Sequence, residues 1–528
     1  MKAAPLPERL VRLALGDFLD RARRPAYVAV LAAAVALGYL AVPETGSHWV
    51  VMRVGDYRGR YDSAYTSTVV ALAAALWLPL GGFYVVRDAL GRDHRSGVGE
   101  LLAATPLRTA GHLVAKFLAG ALVLASMVGV LAVTAVVMQL ARGESTAVDP
   151  VAVLLPFLVV TLPVVVLTAA AALLTETVPL LRGGAGNVAW FFVWLIGGVG
   201  GMGAAAPLGG LGVHEPVASM RDALLAQGGR APAQDFSLGF TYEHTPLRVF
   251  DWDGFTPSAG YLLGRAGLLL LAVALAVLPA GWYPRFAPAA DGGRVRPRAQ
   301  DPAGTPHGVA VRPAGFHGVP RTPVRTGRTG RRLPAGELRI LLRGNSVWWW
   351  AGIAAITVAG ALAPLPAVSR IVLPAAWLWP ALLWSRLGAQ RHTNGVTALL
   401  GAYPGPHRRA LAEWLAGVAV AALAGAVPLI RMLFAADLPG VTAWCGGALF
   451  VPALALALGT LSRTGRLFQA VYLPLWYTTA NGLPLLDFMG ANRTEGHLAG
   501  PGPLLFLALA ALLLGAALLT GTARRARA

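Results

Sequence analysis

The chain has 528 residues, of which 56% are hydrophobic and only 13% are charged. Soluble proteins carry about a quarter charged residues, so this composition excludes an ordinary soluble domain and predicts that lipid surrounds most of the chain. The formal net charge of +19 does not indicate nucleic acid as a partner, because the arginines cluster beside apolar segments without interleaved stacking aromatic residues.

Twelve segments are apolar enough to be predicted as membrane-spanning helices, since a span needs about 20 mainly apolar residues. Helices are expected because unpaired backbone groups in hydrocarbon cost several kcal/mol each. The predicted spans are residues 25–43, 66–86, 111–138, 151–174, 188–206 and 259–281, then 346–364, 368–384, 411–430, 440–461, 467–484 and 502–521. The predicted fold is an all-α transmembrane bundle of two pseudo-symmetric six-span halves, residues 1–284 and 336–528, joined by a linker, residues 285–335.

The residues before the first predicted span form an amphipathic pattern. Within residues 7–19, Leu10 and Phe18 alternate with charges such as Asp17, which predicts a helix lying in the membrane interface. A shorter counterpart, residues 336–343, precedes the seventh predicted span. It is interpreted as a second interfacial helix, with a solvated cytoplasmic turn as the alternative.

The segment after the second predicted span recurs in the second half. Residues 94–106 read His-Arg-Ser-Gly-Val-Gly-Glu-Leu-Leu-Ala-Ala-Thr-Pro, and residues 392–404 read His-Thr-Asn-Gly-Val-Thr-Ala-Leu-Leu-Gly-Ala-Tyr-Pro. Each is followed by a matching block, Ala-Lys-Phe-Leu-Ala-Gly at 115–120 and Ala-Glu-Trp-Leu-Ala-Gly at 412–417, so that eleven positions coincide. This recurrence indicates an internal duplication. Each copy predicts a short interfacial helix stopped by proline, here called an elbow, which serves either as a docking surface or as a purely structural turn.

Arginine-rich segments determine the predicted orientation. Residues 1–24, the linker and the C-terminal tail are basic, and an even number of spans places all three on one side of the membrane. The side enriched in lysine and arginine is the cytoplasmic one. The sequence therefore predicts a multi-pass protein of the cell membrane with both termini, the linker and both elbows in the cytoplasm. The Pro, Gly and Arg content of the linker indicates a flexible connection.

The long loops 44–65, 207–258 and 485–500 are predicted to face outward. Loop 207–258 contains aromatic residues among acids and glycines, a composition that fits either a small folded cap or an irregular loop with interfacial aromatic residues. Its carboxylates are candidates for general acid/base chemistry, although loop carboxylates are usually only solvated. They are Asp235, Glu243, Asp251 and Asp253.

The sequence lacks a phosphate-binding loop, because neither Lys2 nor Lys116 lies in a Gly-x-x-x-x-Gly-Lys-Ser/Thr context. No P-loop ATPase activity and no bound cofactor are expected of this chain. The predicted spans hold few ionisable residues, and Glu176, Glu413 and Lys116 fall near span ends, so proton coupling has little support. The scattered histidines and the single cysteine predict no metal site.

The first elbow, from Gly99 to Arg108, resembles the segment between the second and third spans of ABC-2 type transporter permeases. That family carries Glu-Leu-Leu-x-x-Thr-Pro followed by a basic residue and a Gly/Ala-rich third span, as this chain does. The resemblance implies six spans per half and an elbow that contacts a separate nucleotide-binding subunit. The second copy departs from the pattern, with Ala398, Tyr403 and Glu413 in place of Glu, Thr and Lys, which predicts that the halves are not equivalent.

The resemblance implies which elbow residues contact the ATPase subunits. In the first copy they are Gly97, Glu100, Leu101, Leu102, Thr105, Pro106, Leu107 and Arg108, and in the second Gly395, Leu399, Leu400, Tyr403 and Pro404. The expected function is that of the permease subunit of an ATP-driven exporter. Two copies of a separate ATPase subunit are the expected partners beside the lipid bilayer, and they would carry the ATP-Mg.

Two other classes of function remain open from the sequence: a polytopic membrane enzyme acting on a lipid-linked substrate, and a secondary carrier. A neighbouring gene for a P-loop ATPase would favour the permease, whereas activity of the isolated chain would favour the enzyme. The nearly uncharged spans favour an amphiphilic substrate, whose identity the sequence does not give.

The orientation is testable by labelling. Single cysteines in the linker 285–335, on a Cys445→Ala background, are expected to resist membrane-impermeant thiol reagents in intact cells, because the arginine bias places the linker in the cytoplasm. Cysteines in loop 207–258 are the accessible control. Rapid labelling of the linker would reverse the predicted orientation.

Overall fold

The computed structural model describes residues 6–96, 98–99, 105, 107–230, 236–243, 245, 247–283, 329–393, 406–494 and 497–525. In the first half the helices are α1 Leu6–Ala22, α2 Pro25–Ala41, α3 Ser63–Val86, α4 Ala89–Ser96, α5 Thr109–Arg142, α6 Pro150–Pro156, α7 Leu162–Thr177, α8 Gly184–Gly200, α9 His214–Ala226 and α10 Ala259–Val277. A π-helical turn, Phe157–Thr161, makes α6 and α7 one continuous element. Pro207–Gly209 and Leu278–Gly281 are short 3-10 turns.

In the second half the helices are α11 Thr329–Leu342, α12 Val347–Leu362, α13 Leu365–Ala367, α14 Leu373–Leu378, α15 Ala381–Trp384, α16 Gln390–Thr393, α17 Pro406–Phe434, α18 Leu438–Ser462, α19 Arg466–Ala480 and α20 Pro503–Arg525. The π-helical turn Val368–Val372 lies between α13 and α14. Pro484–Leu486 is a 3-10 turn.

The predicted all-α membrane bundle is confirmed in its coarse form. Among the described residues, eight helical elements are long and apolar enough to cross a membrane, and two bent pairs of helices raise the number to ten if each pair is one span. Those pairs are α1 with α2, bent by 82°, and α11 with α12, bent by 105°. The predicted spans 188–206 and 467–484 coincide with helices of only 17 and 15 residues, so the count of twelve remains a prediction.

Polar residues fix where several of these helices begin. Asp62 accepts a hydrogen bond from the amide of Tyr65 at the start of α3, and Ser258 accepts one from the amide of Tyr261 at the start of α10. Asp437 does the same for Gly440 at the start of α18. Such caps satisfy amide groups that the first turn of a helix leaves without a partner.

A four-stranded sheet, which the sequence analysis did not predict, combines two strands that precede α3 with two strands from the loop before α10. Its strands are β1 Trp49–Val54, β2 Tyr57–Gly59, β3 Phe236–Tyr242 and β4 Arg248–Phe250, in the order β3-β1-β2-β4, with only β2 and β4 parallel. Gly55 has φ +59° in the tight turn between β1 and β2, a conformation that glycine adopts without strain. The loops 44–65 and 207–258 therefore combine into one folded cap, to which α9 also belongs. A two-stranded pair, β5 Arg493–Thr494 and β6 His497–Leu498, lies in the last long loop.

The cap and α4, which leads into the first elbow, lie at opposite ends of α3, because α3 begins beside the sheet and ends just before α4. The hydroxyl of Tyr65 in α3 donates to the carbonyl of Met52 in β1 at 2.8 Å. At about 1.5 Å per residue, the 24 residues of α3 are long enough to reach from one membrane face to the other.

The irregular backbone before α9 is held by a buried arginine. Arg265 of α10 donates to the carbonyls of Leu208 at 2.8 Å and Gly210 at 3.0 Å. Leu208 and Gly210 both have positive φ, so this segment cannot satisfy its own carbonyls as a helix would. The buried guanidinium, 3% exposed, supplies the missing donors to these carbonyls.

The buried apolar residues form two clusters. The first contains residues of α2 to α10 and the cap, and the second contains residues of α11 to α20. Helix α19 belongs to both, because Leu473 lies in the first cluster while Phe468 and Tyr472 lie in the second. This helix is therefore the place where the two halves pack together.

A salt bridge between Arg58 in β2 and Glu144 in the loop after α5 attaches the cap to the bundle. The two guanidinium nitrogens donate to the carboxylate at 2.9 and 3.0 Å, and the amide of Tyr61 donates to it at 3.0 Å. The hydrogen bond from Arg58 holds the pKa of Glu144 below its ordinary value. A depressed carboxyl pKa contributes stability above the unfolded pKa, and this contribution is lost as the pH falls through the folded pKa.

Glu144→Gln is expected to destabilise the cap by about 1–2 kcal/mol, because it removes the charge from this bidentate pair. Limited proteolysis of the cap across a temperature series measures the change. As the pH falls through the folded pKa of Glu144, the difference in stability between the wild type and the variant should disappear, because protonation also removes the charge. Glu44→Gln is the control, because that carboxylate is 77% exposed and lies 3.8 Å from Arg142. Equal behaviour of the two variants would show that the salt bridge does not hold the cap.

Candidate functional site

Most of the predicted elbow residues lie outside the described part of the chain. These are Gly97, Glu100, Leu101, Leu102, Pro106, Gly395, Leu399, Leu400, Tyr403 and Pro404. Of the remaining three, Thr105 and Arg108 are exposed and Leu107 is half-buried. Arg108 has extended backbone just before α5, so the third span begins where the repeat predicts.

The base of each elbow is a buried ion pair, with its charges reversed between the halves. In the first half Lys116 of α5 lies 2.7 Å from Asp93 of α4. In the second half Glu413 of α17 lies 3.8 Å from Arg391 of α16. Lys116 and Glu413 occupy equivalent positions of the repeat. Asp93 and Arg391 are equivalent when His94 is aligned with His392. The same two positions thus form an ion pair twice, once in each polarity.

The interfacial helices join these ion pairs at a matching position. Asp17 of α1 lies 3.5 Å from Lys116, and Glu337 of α11 lies 3.3 Å from Arg409, which is itself 3.3 Å from Glu413. Asp17 and Glu337 occupy the same position counted back from the end of their helices. The helix that leads into each elbow, α4 or α16, is here called the elbow helix. In each half one charge cluster therefore links the interfacial helix, the elbow helix and the third span.

A histidine in the first cluster occupies the place of an arginine in the second. His112 lies 3.6 Å from Asp93, and Arg409 is its counterpart in the register of the third spans. Buried ion pairs are costly to break from one side, typically by about 3–5 kcal/mol, because the remaining charge is left in a low-dielectric environment. Both clusters are therefore rigid joints at the base of an elbow.

The two clusters differ in how they hold their carboxylates. Burial alone would raise the pKa of Asp17, but Arg21, Lys116 and Arg92 outweigh burial and lower it. Burial raises the pKa of Glu337, and the negative charge of Glu413 raises it further despite Arg409. The first cluster thus favours its carboxylate in the ionised form more strongly than the second does.

The second site is the contact between the halves, here called the seam, where α19 packs against α8 and α3. At its centre the side-chain amide of Asn187 donates to the side-chain carbonyl of Gln469. Both side chains are 3% exposed. Around them the contact is aromatic, with the ring of Phe191 lying 6.4 Å from Trp476 and 6.1 Å from Tyr477. At the centre of the seam a buried amide pair therefore joins the halves within an apolar surface.

The residues flanking this pair also match between the halves. On the first side Arg87 donates to the side-chain oxygen of Asn187, and on the second side Gln469 donates to the hydroxyl of Ser385 at 3.1 Å. Arg87 and Ser385 are equivalent in the elbow register, and Asn187 and Gln469 are separated by 282 residues. Equivalent positions of the two halves thus form one chain of hydrogen bonds, in which Arg87 donates to Asn187, Asn187 to Gln469 and Gln469 to Ser385.

Four further hydrogen bonds form two pairs at equivalent positions of the two halves. The indole of Trp190 donates to the carbonyl of Pro79 at 3.0 Å, and the hydroxyl of Tyr472 donates to the carbonyl of Trp377 at 2.7 Å. One turn further on, the indole of Trp194 donates to the carbonyl of Leu76. Its counterpart is the indole of Trp476, which donates to the carbonyl of Pro374 at 2.8 Å. The two donors of each pair are separated by as many residues as Asn187 and Gln469 are. The two acceptors of each pair are separated by as many residues as His94 and His392 are. The duplication therefore extends from the elbows through the second and fifth predicted spans.

The sequence analysis missed the seam, although a signal for it is present. Residues 183–194 and 465–476 share a glycine, an amide side chain, an aromatic donor and a tryptophan at equal spacing. Only the glycine and the tryptophan are identical, so a comparison by identity does not find them. A search that groups side chains by hydrogen-bonding role would find them.

Within the described residues no group of three His, Cys, Asp or Glu side chains is placed to hold a metal ion. Comparison with protein families, with characterised proteins and with solved structures finds no match to this chain. The two sites thus consist of ion pairs at the base of each elbow and a polar contact between the halves.

The seam pair is testable by a double-mutant cycle on the full chain in lipid nanodiscs. Asn187→Leu and Gln469→Leu are each expected to lower the free energy of unfolding by about 1–3 kcal/mol, because each leaves a buried amide group without its partner. The double variant is expected to lose less than the two single losses combined. Thermal unfolding of the wild type, the two single variants and the double variant measures these free energies.

Gln139→Leu serves as the comparison, because Gln139 is equally buried but bonds to Ser63 within the first half. Its combination with Gln469→Leu should be additive, since the two sites share no partner. Additivity of the Asn187 and Gln469 variants would mean that the amide pair contributes nothing to joining the halves.

Proposed function

We propose that this chain is the membrane-spanning permease subunit of an ATP-driven exporter of the ABC-2 type, with both halves in one polypeptide. Two copies of a separate ATPase subunit would bind the elbows and carry the ATP-Mg. Closure of the ATPase dimer would move the elbows, and the charge clusters below them would pass the motion to α1 and α5 in one half and to α11 and α17 in the other. The halves would then part along the seam, where the substrate crosses.

One observation supports this proposal most strongly: the same polar contacts recur at equivalent positions of the two halves, from the base of each elbow to the seam. A duplicated rigid joint under a duplicated elbow is what a two-fold partner requires, because each of its copies must meet the same kind of surface. The twelve-span architecture and the cytoplasmic placement of the elbows belong to this proposal.

The membrane enzyme is less well supported. Of the cap carboxylates, Glu243 lies 2.9 Å from Arg53 and Asp251 lies 3.6 Å from Arg60, so arginines neutralise them separately. Acid/base catalysis by paired carboxylates needs two of them to share one site. The secondary carrier is disfavoured because Asp93 and Glu413 are held in ion pairs.

The proposal is tested by copurification with candidate ATPases. The purified chain alone should hydrolyse no ATP above background, and the complex should do so. Leu101→Asp is expected to weaken binding of the ATPase about tenfold or more, because an unpaired charge in an apolar contact costs several kcal/mol. Leu399→Asp should act in the same direction.

Leu101→Met is the matched control, since it keeps the volume and the apolar character. All variants should insert normally, because the elbows lie outside the predicted spans. Robust hydrolysis by the chain alone, or unchanged ATPase binding by a normally inserted Leu101→Asp protein, would rule out this function for the elbow.

A further inference from the structure

Residues 88–90, where α4 begins, are here called the root of the first elbow. A residue of the other half forms an ion pair with this root across the seam. Asp88, directly before α4, lies 3.1 Å from Arg466, the first residue of α19 in the other half. Both side chains are largely buried, at 20% and 30% exposure. Asp88 has φ +75°, a left-handed conformation that is uncommon for non-glycine residues but that aspartate adopts more readily than most.

The same root is also bonded to the fourth predicted span of its own half. The carboxylate of Glu176 accepts hydrogen bonds from the amides of Asp88, Ala89 and Leu90, the last two at 3.0 and 2.9 Å. These amides open the first turn of α4, where a carboxylate satisfies free donors and interacts favourably with the helix dipole. The elbow helix therefore starts from one point fixed by two bundles, Glu176 on its own side and Arg466 on the other.

The second elbow root has no such tie. The positions equivalent to Asp88 and Arg466 are Arg386 and Gly184, which cannot form an ion pair. Arg386 has no ion-pair partner among the residues that the structure describes. The amide of Gly388, which matches Leu90, donates instead to Glu413 of its own half at 3.0 Å. The halves are thus alike at the seam centre but different at the elbow roots.

We propose that Arg466 is a positioning residue that couples the first elbow to the second half, whereas the second elbow acts on its own half alone. This inference rests on the proposed function for its mechanical meaning. Motion of the first elbow reaches α19 directly through the ion pair of Asp88 and Arg466. Among the residues that the structure describes, motion of the second elbow reaches the first half through the contacts of the seam. The two elbows of one polypeptide are therefore not equivalent: the first acts directly on both halves, and the second acts directly on its own half.

The tie is tested first on the full chain alone, by hydrogen exchange in lipid nanodiscs. Arg466→Gln is expected to speed exchange of the amides of Asp88 to Leu90 about fivefold, the effect of losing one largely buried ion pair. Arg386→Gln, at the position of the second half that is equivalent to Asp88, should leave those amides unchanged. Unchanged exchange in Arg466→Gln would overturn the inference.

A charge swap separates the ion pair from local disruption. Arg466→Asp alone should speed exchange at the elbow root, and the double variant Asp88→Arg with Arg466→Asp should restore it to within about twofold of the wild type. A merely steric role for Arg466 would not be rescued by the swap. Failure of the double variant to restore protection, with the single variant still folded, would therefore count against the ion pair.

The coupling itself is measured on the complex with the ATPase, using ATP-Mg and vanadate as the probe. In the wild type, trapping the nucleotide should change exchange in both α4 and α19. In Arg466→Gln the response of α4 should persist while that of α19 falls about fivefold. Retention of the α19 response would overturn the coupling. If no ATPase binds the wild type, the proposed function fails, but the chain-alone experiments still decide whether the root is tied across the seam.

Discussion

The structure depends on one constraint: inside a membrane no water replaces a missing hydrogen-bond partner, so every buried polar group must find its partner in the chain. Burial imposes the same need just outside the predicted spans, where Arg265 satisfies an irregular segment of loop 207–258 and Glu176 satisfies the first turn of α4. The amide pair Asn187 and Gln469 meets it between the halves. Because such partners are specific in position, they fix how the helices align, which apolar contact alone cannot do in lipid.

The duplicated charge clusters show how a joint can be kept while its residues change. Both clusters connect an interfacial helix, an elbow helix and a third span, but the ion pair at the elbow base is reversed between Lys116 with Asp93 and Glu413 with Arg391. What the two halves share is the pairing of opposite charges at two positions. The identity of each residue follows from its partner.

The sequence was sufficient for the all-α class and for most of the long helices, because long apolar runs are local signals, and the shared Leu-Leu-x-x-x-Pro pattern is equally local. It did not predict the cap sheet, whose central strands pair with residues almost 200 positions away. Nor did it predict the seam, where Asn187 and Gln469 meet through the packing of two halves. The predicted elbow contacts of Leu101 and Leu399 remain predictions, since those residues lie outside the described part of the chain.

The reversed ion pair constrains how this gene can evolve. Copying the third-span segment of one repeat over the other by gene conversion would place Glu beside Asp93, or Lys beside Arg391, and so bring two like charges together at the base of an elbow. A single point mutation toward the other polarity meets the same barrier. The reversal therefore protects the two repeats from being homogenised by recombination, and it lets each half diverge on its own path within one reading frame.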